Sequence, residues 1–179
     1  MKKIQFEKYA IILAGALLLG GCSQSAPADS TSVEVATVQS DSSQTESTQK
    51  EAKSIADLYT EIETSVTLYS PFCWDDDYIS NYYGIDVSTL DEYVFSISED
   101  ATSAEAVIIM KAKDASDTAA LSDCLQVVVD EKKNEMENYL PEQFEIVKKS
   151  SVQTKDNYVW LVISENADAI TKIIEDGIQ

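Results

Sequence analysis

The residue with the clearest chemical setting in this sequence is the thiol of Cys22. Lysines lie near the start of the chain, an apolar run extends from Tyr9 to Leu19, and Gly20 and Gly21 precede the cysteine. A basic start, a short apolar segment and small residues before a cleavage point are the layout of a secretory signal peptide. The chain is therefore predicted to be exported, with residues 1–21 removed as the signal peptide.

The segment Leu19–Cys22 resembles the lipobox of bacterial lipoproteins. The resemblance implies that diacylglycerol is attached to Cys22. This residue would then begin the mature protein and hold it on the extracytoplasmic face of the cell membrane. A spanning helix needs about 20 apolar residues, so a transmembrane anchor is the weaker interpretation. The alternative is an ordinary signal peptide cut near Gly21, with Cys22 incidental.

Several residue types that catalysis commonly uses are missing from the sequence. There is no histidine, and all 13 basic residues are lysines. Without histidine, Ser-His-Asp and Cys-His arrangements cannot form, and without arginine no bidentate group is available for phosphate or carboxylate. After the signal peptide only Gly84 and Gly177 remain, so the sequence has no glycine-rich phosphate loop. We therefore expect a protein that is not an enzyme and holds no cofactor.

The sequence is strongly acidic, with a formal net charge of −19. Because nucleic-acid binding depends on neutralising phosphates, this charge excludes a nucleic-acid partner. The run Asp75–Asp77 lacks the glycine and the glutamate that a calcium loop needs. Helix capping is the preferred interpretation of that run, so no metal site is predicted. A basic protein or peptide is the partner that the charge favours.

Two further cysteines, Cys73 and Cys124, follow the predicted lipidation site. Export would permit a disulfide between them. Cys124 lies on the apolar side of a predicted helix, where a buried thiol behaves as a small hydrophobic group. Two unpaired thiols are the favoured interpretation, and the disulfide stays open.

The composition changes near residue 52. Residues 22–52 are rich in Ser, Thr, Gln and acidic side chains, and they are predicted to form a disordered tether that follows the lipidated cysteine. From residue 53 onward apolar residues recur periodically, so residues 53–179 are predicted to form a single domain.

Two helices are predicted at the start of this domain. Apolar residues recur at three- and four-residue steps from Ile55 to Tyr69, and Pro71 ends this helix. A short helix then covers residues 78–83, with Asp77 as its N-cap and Gly84 as its end.

The rest of the domain is predicted to consist of two successive units, each with two strands followed by a helix. The first unit has strands at 92–98 and 104–112 and a helix at 117–140, which Pro141 closes. The second unit has strands at 144–154 and 158–164, and a last helix capped by Asn166. The predicted fold class is therefore α+β: N-terminal helices, then a ββαββα unit with an antiparallel four-stranded sheet and helices packed on one face.

A set of short motifs in a fixed order is similar to one protein family. The motifs are Tyr83–Asp86, Glu92–Tyr93, Ala104–Ile109 with Lys113–Asp114, Tyr139–Gln143 and Asn157–Ser164. Together they resemble the DUF4358 family, small lipoproteins or membrane-tethered proteins mostly of Firmicutes, over about Ile55 to Ile174. The resemblance implies a Gram-positive cell surface and supplies no activity.

We expect the domain to be a non-catalytic binding or interaction module. The candidate contact residues are Trp74, Tyr78, Tyr82 and Tyr83, because tyrosine and tryptophan are favoured at interfaces. The opposing interpretation is that these rings pack as core, which aromatic residues at helical spacing do more often.

Two alternatives belong to other functional classes. One is a solute-binding component that serves a transporter. The other is a cell-envelope hydrolase that acts on wall glycans with paired carboxylates, for which the places to inspect are Asp75–Asp77 together with Asp86 or Glu92.

Overall fold

The computed structural model describes residues 52–178, and the centre of this part is one antiparallel sheet of five strands. Five helices accompany the sheet, and two short 3-10 helices, Val87–Thr89 and Ala115–Asp117, lie in its connections. The strands are β1 (Pro71–Cys73), β2 (Leu90–Ser98), β3 (Ala106–Ala112), β4 (Gln153–Lys155) and β5 (Tyr158–Ile163). The helices are α1 (Ile55–Ser65), α2 (Asp76–Tyr83), α3 (Thr118–Met136), α4 (Pro141–Lys149) and α5 (Ala167–Gly177).

The strand order is β1-β2-β3-β5-β4, so β3 lies at the centre of the sheet. Ile109 of β3 is opposite Val94 of β2 on one side and Trp160 of β5 on the other. The two predicted hairpins are therefore joined into one sheet by the pairing of β3 with β5.

Helices cover both faces of this sheet, so the prediction of helices on one face is wrong. One face packs against α1 and α5, whose buried side chains include Leu58 and Ile174. The other face packs against α2, α3 and α4, whose buried side chains include Ile79, Leu125 and Val147. The described part of the chain therefore has three layers, with the sheet in the middle.

The sequences of β3 and β5 give the physical reason for these three layers. Successive side chains of a strand point to opposite faces, and in these two strands the residues of both alternations are apolar. Ile108 and Leu161 enter the cluster under α2, α3 and α4, whereas Ile109 and Trp160 enter the cluster under α1 and α5. Apolar side chains on both faces need cover on both faces.

The two edges of the sheet are strands of only three residues. β1 pairs with the end of β2, with Phe72 opposite Ile97, and β4 pairs with the start of β5, with Thr154 opposite Val159. The prediction of four strands is therefore corrected to five, because the segment after Pro71 is extended and pairs with β2. Short edge strands limit edge-to-edge association between sheets.

The segment predicted as a strand at 144–154 is mostly the helix α4, with only β4 at its end. Pro141 lies in the first turn of α4, where proline is tolerated, and does not close the preceding helix. Glu142 in the first turn and Lys148 and Lys149 in the last turn complement the helix dipole. These end signals favour a helix, although Ile146 and Val147 are β-branched.

Other predicted boundaries shift by a few residues. α1 ends at Ser65, and α3 ends at Met136. The N-cap of α2 is Asp75, which corrects the prediction of Asp77. Asn166 lies at the N-cap position of α5 as predicted, but its side chain makes no capping hydrogen bond.

The predicted signal peptide, Cys22 and the tether up to residue 51 lie outside the described residues. Within residues 52–178, none of the helices has the length and apolar character needed to cross a bilayer.

Candidate interaction groove

The helix α2 positions most of the predicted contact residues. Asp75 caps its start, because the carboxylate accepts a hydrogen bond from the Tyr78 backbone N–H at 3.0 Å. Gly84 ends it with a φ of 67°, a left-handed conformation that favours glycine, and its N–H donates to the Ser80 carbonyl at 3.1 Å. Asp75 and Gly84 are residue types that commonly cap helices, and they fix both ends of this short helix.

Trp74, Tyr78 and Tyr82 form a continuous stack of rings, which we call the aromatic row. The ring centroids of Trp74 and Tyr78 are 3.8 Å apart, with 19° between the ring planes. Those of Tyr78 and Tyr82 are 5.3 Å apart, with 5° between the planes. The four-residue spacing places Tyr78 and Tyr82 on one face of α2, and Trp74, which precedes the helix, continues their stack. The structure thus brings together three of the four predicted contact residues.

The fourth predicted residue, Tyr83, points toward the core. Its ring centroid lies 5.2 Å from that of Phe95, which is fully buried, and its side chain is partly buried. It still meets Tyr82 at 5.3 Å in an edge-to-face contact. Tyr83 therefore packs against the core beneath the aromatic row. Trp74 and Tyr78 are also partly buried against the same cluster, as the interpretation of these rings as core expects.

Phe72, which is not among the predicted contact residues, extends the row on the side of β1. The edge of the Phe72 ring meets Trp74 with centroids 4.7 Å apart and 66° between the planes. Phe72 is 41% exposed and Tyr82 is 63% exposed. The two-residue spacing of Phe72 and Trp74 fits one face of an extended segment, but it becomes a signal only once β1 is known to pair with β2.

An open groove of about 470 Å³ lies along the aromatic row between β1 and α2. We call it the aromatic groove. It is lined by Phe72, Cys73, Trp74, Asp75, Asp77, Tyr78, Asn81 and Tyr82. Its walls thus combine exposed rings with carboxylates, a pairing suited to a ligand that is both apolar and cationic.

The three aspartates beside the groove have different partners. Asp75 caps α2, and Asp76 accepts a hydrogen bond from the Tyr93 hydroxyl. The side chain of Asp77 has no hydrogen-bond or ion-pair partner among residues 52–178. Asp77 is therefore the carboxylate of this run that can take up a cationic group.

The environment of the groove raises the pKa of three tyrosines, Tyr78, Tyr83 and Tyr93. Burial, followed by the charge of Glu131 on α3, raises the pKa of Tyr83. Burial also raises the pKa of Tyr78, and burial together with the hydrogen bond to Asp76 raises that of Tyr93. These three hydroxyls therefore stay protonated at physiological pH and add no negative charge beside the carboxylates of the groove.

The family model described as "Domain of unknown function (DUF4358)" matches residues 64–164, more than half of the chain. The chain belongs to the DUF4358 family. No curated protein and no solved structure has a significant match to it.

The DUF4358 match contains every residue of the aromatic groove and every strand of the sheet. It is narrower than the resemblance found in the sequence, because α5 and nearly all of α1 lie outside it. The layer formed by α1 and α5 is thus the part of the described fold that the family model does not cover.

Two of the carboxylates considered for hydrolysis in this DUF4358 chain, Asp86 and Glu92, make structural contacts. Asp86 accepts a hydrogen bond from the Ser88 N–H at 2.9 Å. Glu92 accepts one from the Ile55 N–H at 2.8 Å and lies 3.8 Å from the Lys111 ammonium. Asp86 therefore helps to fix the start of the 3-10 helix Val87–Thr89, and Glu92 helps to fix the start of α1.

Cys73 and Cys124 are both free thiols, the first exposed and the second partly buried. Burial, followed by the charge of Asp123, raises the pKa of Cys124. Residues 52–178 contain no group of three or more histidine, cysteine, aspartate or glutamate side chains that could hold a metal ion.

A second, larger cavity of about 620 Å³ lies between α4, β5 and α5. Its lining is mainly polar and includes Glu165, Asp168 and Lys149 together with Trp160. Trp160 is 3% exposed, and its indole N–H has no hydrogen-bond acceptor among residues 52–178. A buried donor without an acceptor is unfavourable by about 1–3 kcal/mol.

Proposed function

We propose that this DUF4358 protein is a non-catalytic interaction module, held on the extracytoplasmic face of the cell membrane by lipid on Cys22. In this proposal its aromatic groove binds a basic protein or peptide. The observation that carries the proposal is the stacked aromatic row beside the unpartnered carboxylate of Asp77. A lysine side chain can place its stem on the rings and its ammonium against the carboxylate.

The charge of the chain supports a basic partner. A formal net charge of −19 attracts cationic segments and speeds their association at low ionic strength. The exposed rings of Phe72 and Tyr82 supply apolar contact area at the same place. Long-range electrostatic attraction and short-range contact with the rings therefore both favour a cationic ligand that also has apolar groups.

The groove is tested with the chain from residue 22 onward, carrying Cys22→Ser, and a fluorescent peptide of alternating lysine and valine. We expect binding to the Lys-Val peptide and none to the matching Glu-Val peptide. Tyr82→Ala should weaken binding about five-fold, the equivalent of a cation–π contact of roughly 1 kcal/mol. Asp77→Asn should also weaken it and reduce its dependence on salt.

The chain offers a matched control for Tyr82. Tyr139 is 85% exposed, lies outside the groove and is also a tyrosine. Tyr139→Ala should leave peptide affinity unchanged. Equal losses in the two variants, or no binding to any basic peptide, would contradict the proposed role of the groove.

The membrane anchor has its own test. We expect mass spectrometry of the exported protein to find Cys22 at the amino terminus with diacylglycerol attached, and Cys22→Ala to release the chain from the membrane fraction. Two acyl chains on one residue give stable attachment because each buried methylene contributes about 0.8 kcal/mol. An unmodified amino terminus at another position would contradict the anchor.

A second candidate function, a solute-binding component for a transporter, is favoured by the cavity beside Trp160. A small ligand with a hydrogen-bond acceptor could satisfy the unpartnered indole N–H after a small shift of its surroundings. The variant Trp74→Phe would leave Trp160 as the sole tryptophan, so its fluorescence reports on the cavity. A change in that fluorescence with sugars, amino acids or peptides, together with a raised melting temperature, would support this candidate.

A further inference from the structure

The hydrogen bonds of β1 show which of its backbone groups face β2. The Trp74 N–H donates to the Phe95 carbonyl at 2.9 Å, and the Ser70 carbonyl accepts from the Glu99 N–H at 3.0 Å. In an antiparallel pair, alternate residues direct both backbone groups to the same neighbouring strand. The backbone N–H and C=O groups of residues 70, 72 and 74 therefore face β2. This agrees with the register, in which Phe72 lies opposite Ile97.

The same alternation directs the backbone of Cys73 to the outer edge of the sheet. β1 is the last strand on this side, and all three of its residues are exposed. Pro71 has no N–H, so the Cys73 N–H is the only outward donor of β1. The outward acceptors are the carbonyls of Pro71 and Cys73. This short edge can therefore accept one hydrogen-bonded residue from another chain.

This edge borders the aromatic groove. Phe72, Cys73 and Trp74 form one wall of the groove, and residues of α2 form the other. Because side chains alternate along a strand, Phe72 and Trp74 share the face of the aromatic row, whereas Cys73 points to the face of α1. Backbone hydrogen-bonding groups and the aromatic row are therefore available to the same extended ligand.

We propose that the basic partner binds as an extended segment that adds a sixth, antiparallel strand to the outer edge of β1. This inference rests on the proposed function, since it assumes a basic peptide in the aromatic groove. One residue of the segment exchanges hydrogen bonds with the backbone of Cys73. The residues on either side of it direct lysine side chains onto the aromatic row and Asp77, since residues directly opposite in a sheet share a face.

Charge decides against a second copy of this chain as the occupant of the edge. Each copy carries a formal net charge of −19, and the groove beside β1 is itself lined by Asp75 and Asp77. Two such edges would bring like charges together, which opposes pairing. A basic segment brings the opposite charge to the same place.

The test uses a blocked five-residue peptide of alternating lysine and valine that begins and ends with lysine. In a strand whose lysine side chains lie over the aromatic row, the backbone N–H groups of the valines point toward β1 and those of the lysines point away from it. N-methylation of both valines removes these donors and should weaken binding at least ten-fold. N-methylation of the central and last lysines should change affinity less than two-fold, because those N–H groups point away from β1.

The results separate this inference from the proposed function. If the parent peptide does not bind, the proposed function fails. If it binds and the two methylated peptides lose affinity equally, or the lysine-methylated peptide loses more, then antiparallel strand addition is wrong while the groove remains the binding site. The peptide variants leave the protein unchanged, so the comparison does not depend on how any protein variant folds.

A protein variant checks the same contact from the other side. Cys73→Pro removes the outward N–H and should weaken binding of the parent peptide at least ten-fold, whereas Tyr139→Ala, which lies outside the groove, should bind normally. A dimer in sedimentation that Cys73→Pro dissociates would assign the edge to a second copy and overturn the inference.

Discussion

Gly177 of α5 lies directly against Leu58 of α1. A methyl group placed on the Cα of Gly177 would come within 2.1 Å of Leu58 Cδ2, and Leu58 is fully buried. The Gly177 carbonyl also accepts a hydrogen bond from the Lys53 N–H at 2.9 Å. The close approach of the first and last helices therefore depends on the absence of a side chain at this position.

We predict that Gly177→Ala destabilises the fold by about 1–3 kcal/mol, the usual effect of an extra methyl group in a well-packed core. The free energy of unfolding in urea measures this. Gly84→Ala is the comparison, because no atom in the described part of the chain lies within 4 Å of its added methyl group, and its φ of 67° is what opposes a side chain. Its expected effect is about 1 kcal/mol. A Gly177→Ala variant as stable as the parent would show that the two helices can separate.

The sequence predicted several local features correctly because short-range signals decide them. Gly84 ends α2 as predicted. The reversal at residues 155–157 occurs as predicted, with Lys155 opposite Tyr158 and a φ of 54° at Asp156. Aspartate tolerates this left-handed conformation better than most residues.

The arrangement of helices around the sheet was harder to predict. The continuous apolar runs of β3 and β5 indicate that both faces are buried, but they do not say which helix covers which face. That depends on contacts between distant segments, such as the packing of α1 against α5. The segment 144–154 was predicted as a strand because it precedes the turn at residues 155–157. In the structure Phe144, Ile146 and Val147 of α4 instead pack on the cluster under α2, α3 and α4.

The candidate groove was predicted in part. Four-residue spacing indicated that Tyr78 and Tyr82 share a face, and the structure adds Trp74 to their stack. Spacing alone could not show that Tyr83 points to Phe95, because that depends on how α2 lies on the sheet. It also could not show that Phe72 belongs to a strand, since β1 exists only through its pairing with β2.

Glu105 connects three distant segments, and we predict that its loss destabilises the fold. Its carboxylate accepts hydrogen bonds from the Ser164 hydroxyl at 2.6 Å and from the Tyr69 N–H. Hydrogen bonds to a charged group contribute about 1.5–3 kcal/mol each when their partners are protected from water. Glu105 is partly buried, so Glu105→Ala should lower the free energy of unfolding by about 2 kcal/mol.

Glu99 is the control for this prediction. It lies near Glu105 in the chain but is exposed, and its backbone N–H makes the hydrogen bond to the Ser70 carbonyl. Glu99→Ala should therefore change stability by less than about 0.5 kcal/mol. Similar losses in both variants would argue against a specific role for the Glu105 carboxylate.

The two thiols should react with a disulfide reagent at different rates. Cys73 is exposed, whereas Cys124 is partly buried and burial raises its pKa. Since the thiolate is the reactive form, we expect a fast phase from Cys73 and a slow phase from Cys124 in the Cys22→Ser chain. Cys73→Ser should remove only the fast phase. Thiols that appear only after reduction would show a disulfide instead.

Asp86 should make the stability of the fold depend on pH in the acidic range. Hydrogen bonds from the Ser88 side chain and backbone lower the pKa of Asp86 below its ordinary value of 3.8. A carboxyl whose pKa is lower in the folded state stabilises the fold at pH values above its ordinary pKa. This stabilisation is lost as the pH falls through the pKa of the folded state. Asp86→Asn should therefore be less stable than the parent at neutral pH, and the difference should vanish in acid. A difference that is constant across this range would contradict the assignment.

The hydrogen bond between Lys53 and Gly177 has a practical consequence for experiments on this protein. It brings both ends of the described fold to the layer of α1 and α5, whereas the aromatic row packs on the layer of α2. A fluorescent protein or an affinity tag fused after the last helix would sit behind the sheet, away from Tyr82. Immobilisation through that end should leave the aromatic groove open to solution.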